Sequence, residues 1–141
     1  MSVHLVKLCV GIDSVRDLAE WQDMCLAQCA GAGIKPEVMH FTRQSPKRAD
    51  EIVKDGSIYW VIKGAVCVRQ RVVDLRPTSR DGVPACAIVC DPHLVRTIPF
   101  VRSPFQGWRY LRPEDTPPDI DSVGGNLPAD LKIELARLGL L

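Results

Sequence analysis

The sequence has no long hydrophobic run, although 46% of its 141 residues are apolar. Its uninterrupted apolar stretches cover only a few residues, whereas a membrane-spanning helix needs about 20. The first residues, Met1 to Leu8, lack a basic region and carry a lysine inside the apolar stretch, unlike a signal peptide. We therefore expect a cytoplasmic protein without a membrane partner, folded as one domain over residues 1–141.

Short catalytic motifs are also missing. The sequence contains no G-x-S-x-G nucleophile elbow, no H-E-x-x-H zinc motif, no phosphate-binding P-loop and no G-x-G-x-x-G dinucleotide motif. His4, His40 and His93 are scattered along the chain, and a lone histidine is more often structural than catalytic. We predict no catalytic residue, no cofactor and no metal site.

The six cysteines would indicate a disulfide framework in a short secreted chain, but we expect them to stay reduced in a cytoplasmic one. Cys25 and Cys29 are four residues apart on a predicted helix, and Cys86 and Cys90 are four apart on a predicted strand. Four strand residues span roughly 13 Å, which is too far for both sulfur atoms to ligate one zinc ion. These residues are therefore interpreted as small apolar groups of the core.

Charge is unevenly distributed, although the formal net charge is only +1. Residues 43–112 contain 13 Lys and Arg but six Asp and Glu, a balance of +7, while the two flanks together carry −6. A basic middle between acidic ends favours an anionic partner such as RNA or DNA. The alternative is that these charges only solvate loops and strand edges.

Hydrophobic periodicity predicts an α+β fold with a mostly antiparallel sheet. One helix begins at Asp13 or Ser14 and ends near Gly31, a short one runs from Ser45-Pro46 to Gly56, and a last one covers residues 128–139. A loop-rich segment, 112–127, precedes the last helix. Strand signals are found at 4–10, 37–42, 57–75, 83–90, 94–100 and 105–111. Since helices do not follow each strand, we expect a sheet curled toward a small barrel.

The strongest strand signal lies between Ser57 and Leu75, which predicts a hairpin or one long bulged strand around Lys63-Gly64-Ala65. Strand alternation then divides its second arm into two faces. One face carries Val66, Val68, Gln70 and Val72, and the other carries Cys67, Arg69 and Arg71.

Two segments, Gly-Ser-Ile-Tyr-Trp-Val-Ile-Lys-Gly at 56–64 and Phe-Gln-Gly-Trp-Arg-Tyr-Leu at 105–111, carry a family resemblance. With them in view, the chain resembles a bacterial family of domains of unknown function, family 1489. The likeness runs from residues 4–11 through 46–48 to 138–141. It implies family membership and no particular activity.

A more distant resemblance is to the EVE domain of the PUA-like superfamily. It is carried by the order of strand, acidic helix, short basic helix and hairpin, with 56–60 and 64–68 at the hairpin positions. Two departures stand beside this resemblance: Ser57 replaces the acidic residue of those domains, and their tryptophan and Arg-Asn-Tyr tract is absent unless 42–44 fills that place. The resemblance implies a PUA-like pseudo-barrel with flanking helices that binds RNA or a modified nucleobase.

Basic residues supply one set of candidate binding positions. Lys47 and Arg48 begin the short helix, where charge and unpaired backbone N–H groups could hold a phosphate. Lys63, Arg69 and Arg71 form the densest basic cluster of the hairpin and could hold a nucleic-acid backbone. The alternatives are plain solvation for the first pair and ion pairs with neighbouring acids for the second cluster.

The segment 105–111 supplies the second set of candidates. Trp108 and Tyr110 could stack on a base beside Arg109, whereas Trp60 shares a face with apolar residues and is predicted to be core. Alternation places Phe105, Gly107, Arg109 and Leu111 together on the core side. An inward Arg109 would need an acidic partner or a bound anion. The favoured partners are Glu114, Asp115 and Asp119.

These features favour a non-enzymatic nucleic-acid-binding module for RNA or a modified nucleobase. One alternative is a small-molecule enzyme whose barrel-mouth pocket is lined by Trp108, Arg109 and a cysteine or histidine. Such an enzyme would show a deep pocket containing titratable groups with perturbed pKa values, whereas a shallow open groove favours binding. A second alternative, a protein-interaction adaptor, would show an exposed apolar patch.

Overall fold

The computed structural model describes residues 2–103 and 105–120. In chain order its elements are β1 (His4–Leu8), α1 (Val15–Gly31), β2 (Val38–Thr42), α2 (Ala49–Asp55), β3 (Ser57–Ile62), β4 (Ala65–Arg80), β5 (Val83–Cys90), β6 (Val95–Val101), β7 (Trp108–Leu111) and a short 3-10 helix (Pro113–Asp115). The helix predicted over 128–139 and the second half of the predicted loop segment lie outside the described residues. Among the residues described, no helix combines the length and the apolar character needed to cross a lipid bilayer.

The strands form one open sheet in the order β2-β5-β4-β3-β1-β7, with β6 also paired to β4. Strands β1 and β3 are parallel, and every other pair in the described sheet is antiparallel. This confirms the predicted α+β class and the mostly antiparallel sheet. The long strand β4 pairs with β3 and β6 through its first half and with β5 from Val72 onward, so the sheet changes partners along one strand.

Helix α1 begins where the sequence predicts it, because the Ser14 side chain accepts a hydrogen bond of 3.0 Å from the Asp17 N–H. Val15 and Leu18 of this helix are buried in the main core, together with the polar Gln22. The Gln22 side chain is hydrogen-bonded to the fully buried Gln70 of β4. A buried amide pair of this kind is tolerated because both groups find partners.

The predicted hairpin is confirmed, and its two turn residues explain its geometry. Lys63 and Gly64 both have positive φ angles, of 50° and 78°, as a two-residue turn between antiparallel strands requires. The short helix α2 starts at Ala49, later than the predicted Ser45-Pro46 start. Ser45 therefore does not cap it.

The two faces of the sheet carry separate apolar clusters. The main core lies on the face covered by α1 and includes Trp60, which is 1% exposed as predicted. The second face carries Val6, Tyr59, Val61, Val66 and Leu111. The predicted alternation is wrong at Val66 and Cys67, because bulges in the pairing of β4 put Val66 on the second face and Cys67 in the main core.

Candidate nucleic-acid interface

Trp108 brings the two ends of the open sheet together. Its indole Nε1 donates a hydrogen bond of 2.8 Å to the backbone oxygen of Gln44, just beyond β2. The ring is partly buried against the main core and meets the Tyr110 ring edge-on, with 4.8 Å between ring centroids. Tyr110 itself remains 38% exposed. Of the two predicted stacking residues, Tyr110 is therefore the more open and Trp108 the more structural.

Arg48 meets Tyr110, so the structure unites two predicted positions that are 62 residues apart. The Arg48 backbone N–H donates to the Tyr110 hydroxyl at 3.2 Å, and the guanidinium lies 5.9 Å from the ring centroid. That guanidinium also pairs with Glu51 and, by hydrogen bonding, lowers the pKa of the Glu51 carboxyl. The backbone donor predicted for a phosphate is thus already occupied. Lys47 is exposed beside it.

Arg109 lies on the predicted side of β7 but does not point inward. It pairs in register with Val6 on the second face, yet its side chain is exposed. Its Nη1 donates to the backbone oxygens of Gln106 and Trp108, both at 2.9 Å, and the guanidinium lies 5.3 Å from the Phe105 ring centroid. The predicted acidic partner is absent among the described residues. Because β7 is an edge strand, this side chain can leave the core and stay hydrated.

Asp119, one of the partners expected for Arg109, instead pairs with Arg69. The Arg69 Nε and Nη2 donate to the two carboxylate oxygens of Asp119, each at 2.8 Å, and Nη1 donates to the Ser57 hydroxyl at 3.1 Å. The hydrogen bonds lower the pKa of the Asp119 carboxyl. This bidentate pair fastens the segment after the 3-10 helix to the second face of the sheet.

The Arg71 guanidinium binds backbone oxygens at the C-terminal end of helix α2. Its Nη1 donates to the backbone oxygen of Gly56 at 2.7 Å and to that of Ile52 at 3.3 Å, and its Nη2 donates to Val53. Carbonyl groups at the end of a helix lack the usual intrahelical donors, and Arg71 adds to the bonds that the Ile52 oxygen accepts from the Gly56 N–H and the Gly56 oxygen from the Val72 N–H. Lys63 lies apart in the hairpin turn, because the five strand residues from Ala65 to Arg69 extend over roughly 13 Å. The hairpin arginines share a face, as predicted, but both guanidinium groups have protein partners.

Two arginines outside the predicted set line the surface that the structure assembles. A cavity of about 470 Å³ is lined by Phe41, Arg43 and Arg80, with the Arg80 guanidinium 4.2 Å from the centroid of the Phe41 ring. A second cavity of about 700 Å³ is lined by Arg43, Trp108 and Arg109. The two share Thr42 and Arg43, and we call their joined surface the arginine groove.

Electrostatics distinguish the arginines of the groove from four other arginines of the basic middle. Arg43, Arg80 and Arg109 form no ion pair with any described residue, whereas Arg48, Arg69, Arg76 and Arg112 each pair with a carboxylate. Asp81 is the only acid among the described residues that line the groove. The missed signal was the position of Arg43 directly after the predicted strand 37–42 and of Arg80 in the turn directly before the predicted strand 83–90.

A further cluster that sequence reasoning missed surrounds His40 on β2. Its ring lies 4.7 Å from that of Trp21 and 4.3 Å from that of Trp60, measured between centroids. Burial, and secondarily the charge of Lys7, lower the pKa of His40 to about 3, so it is neutral at pH 7. Burial also lowers the pKa of Lys7. The signal available in the sequence was the single charge at Lys7 inside an apolar strand.

The comparison with family models supports the resemblance given by the two segments at 56–64 and 105–111. The model described as "Protein of unknown function (DUF1489)" matches residues 5–141. The chain belongs to this family. Searches of curated proteins and of solved structures each find no significant match.

Membership of the DUF1489 family assigns no activity, so the function has to be argued from the geometry of the site. The cavity that holds Trp108 and Arg109 has neither cysteine nor histidine among the described residues that line it. The alternative prediction of a small-molecule enzyme has a cysteine or a histidine in the pocket beside Trp108 and Arg109. An open, arginine-lined groove is the arrangement expected of a binding surface.

Proposed function

We propose that this protein is a non-enzymatic nucleic-acid-binding module that holds single-stranded RNA in the arginine groove. The observation that carries the proposal is the continuity of the two cavities through Thr42 and Arg43, with unpaired arginines at both ends. Arg80 supplies a positive charge at one end of the groove, and Arg109 supplies one at the other end. Three arginines along one groove suit a polyanion such as a nucleic-acid backbone better than a single small anion.

Exposed aromatic rings beside these arginines favour single strands. Phe41 is 39% exposed within the groove, and Tyr110 is 38% exposed next to Trp108 at its rim. Unpaired bases can stack on such rings, a contact worth roughly 1–3 kcal/mol per base, whereas a duplex keeps its bases stacked on one another. The resemblance to EVE domains favours RNA or a modified nucleobase over DNA, and we propose that the curled sheet is a PUA-like pseudo-barrel.

Of the predicted basic positions, Lys47 and Arg48 belong to this proposed surface because Arg48 contacts Tyr110. Lys63 would contact only a longer strand that reaches the hairpin turn. Arg69 and Arg71 are assigned to holding the fold, since their guanidinium groups already bind Asp119 and the end of α2. Arginine binds phosphate best when its donors are free to form paired hydrogen bonds.

Fluorescence anisotropy with a labelled single-stranded RNA at low salt tests the proposal. We expect Arg43→Gln and Arg109→Gln each to weaken binding several-fold and to lower the dependence of log K on log salt by about one unit. Arg16→Gln is the matched control, because Arg16 is exposed on α1 and pairs only with Glu20. The same RNA sequence as DNA, and as a duplex, measures the preference for single-stranded RNA.

Three results would contradict the proposal. These are the absence of binding at low salt, binding that salt does not weaken, and equal losses in Arg43→Gln and in the Arg16→Gln control. Equal affinity for RNA and DNA would retain the groove as a nucleic-acid site and overturn the choice of RNA.

A further inference from the structure

A small, partly open cavity lies next to the arginine groove on the face of the sheet covered by α1. Its volume is about 290 Å³, at the lower end of the range of roughly 300–1,000 Å³ typical of small-molecule sites. Its apolar lining includes Leu18, Phe41 and Trp60. Lys7 and His40 are the basic side chains that line it among the described residues.

No acidic side chain lines this cavity beside Lys7 in the part of the chain that the structure describes. Lys7 pairs in register with Trp60 on β3 and with Trp108 on β7, so indole-bearing residues flank it on both sides. It forms no ion pair with any described residue, and its pKa is lowered by burial. A partly buried ammonium group without a carboxylate is costly, and a bound anion would offset that cost.

His40 adds an unused hydrogen-bonding atom. Its Nε2 is buried and has no hydrogen-bond partner among the described residues, while its ring packs between Trp21 and Trp60. Most buried polar atoms in proteins do have a partner, and a bound ligand could supply the one that the described residues do not. A neutral histidine can donate from Nε2 to an oxygen acceptor.

We propose that this cavity binds a small planar carboxylate, an aromatic or heteroaromatic acid, whose charge is met by Lys7 and whose oxygen accepts a hydrogen bond from His40. The flat ring of the ligand contacts the apolar wall that includes Trp60 and Phe41. A single-ring acid suits the limited volume, and a polymeric phosphate does not. The site is therefore separate from the one proposed for RNA, although Phe41 borders both.

Benzoate and its neutral isostere benzamide are suitable probes, followed by tryptophan fluorescence and by chemical shifts of the backbone amides. We expect saturable binding of benzoate to the wild-type protein at millimolar concentrations or below, with benzamide at least tenfold weaker. Lys7→Met is expected to abolish the preference for benzoate, and His40→Phe to weaken benzoate while keeping the stacked ring. Lys35→Met, an exposed lysine, is the control.

The proposal is overturned if benzoate fails to saturate the wild-type protein, if benzamide binds equally well, or if Lys7→Met keeps the full preference. The comparison of the two probes in the wild-type protein stands even if Lys7→Met does not fold. Unchanged benzoate binding in Arg43→Gln is expected, and it separates this site from the arginine groove.

Discussion

The indole Nε1 of Trp108 and the backbone oxygen of Gln44 are joined by a hydrogen bond of 2.8 Å across the opening of the sheet. Trp108 belongs to the edge strand β7, and Gln44 follows the opposite edge strand β2. These edges do not pair as strands within the described chain. One side-chain contact therefore helps to set the distance between the two sides of the arginine groove.

Trp108→Phe removes this donor but keeps an aromatic ring in place. We expect a loss of about 1 kcal/mol in unfolding free energy and a fall in Tm of roughly 2–5 °C. RNA binding should weaken because the two sides of the groove are no longer held at one distance. Thermal melting and anisotropy measure both effects, and an unchanged Tm would show that the bond does not hold the edges together.

Arg109→Ala should weaken RNA binding while leaving the stability of the fold nearly unchanged. The side chain is exposed and donates only to nearby backbone oxygens, so we expect a change in Tm within a few degrees. RNA affinity should nevertheless fall several-fold, because a groove cation is lost. A large fall in Tm would contradict the exposed placement of Arg109, and intact binding would contradict its role in the groove.

Asp119→Asn should lower the stability of the fold and leave RNA affinity nearly unchanged, the opposite of what we expect for Arg109→Ala. It weakens a bidentate ion pair in which Arg69 is 26% and Asp119 30% exposed, and we expect a cost of about 1–3 kcal/mol. Urea unfolding measures this cost, and RNA affinity should stay within twofold of wild type. Glu20→Gln breaks the far more exposed pair with Arg16 and should cost less than about 0.5 kcal/mol.

His40 predicts how stability depends on pH. Its folded pKa of about 3 lies below the ordinary 6.5, so the unfolded chain binds the proton more readily. The stabilising effect of neutral His40 is complete above pH 6.5 and is lost progressively as the pH falls toward 3. His40→Phe should flatten this dependence in Tm measured from pH 7 to pH 4. His4, whose pKa burial also lowers, should account for part of the slope that remains.

The cysteines give a prediction about reactivity. Burial raises the pKa of Cys9, Cys67 and Cys90 to about 12, so these thiols should react slowly with alkylating reagents in the native protein at pH 8. All six should react in denaturant.

Metal analysis should find no stoichiometric zinc, and one zinc per chain would point instead to Cys25, Cys29 and a histidine as ligands.

Local sequence signals determined most of the fold. Ser14 capped the first helix, Lys63-Gly64 formed the hairpin turn, and the Val- and Ile-rich segments became strands, because each of these features depends on neighbouring residues. Two of the predictions that differed, the face of Val66 and the start of α2, involve a bulge and a cap. Both are decided by partners elsewhere in the chain.

Only the tertiary structure determined which basic side chains form no ion pair with another described residue. Arg69 and Arg109 look alike in the sequence, but Asp119, 50 residues from Arg69, pairs with it and leaves Arg109 exposed. The same holds for Lys7 and His40, which line one cavity because the His40 ring of β2 packs against Trp60 of β3. Charge balance and strand periodicity are properties of the sequence, whereas pairing, burial and a shared cavity depend on contacts between distant residues.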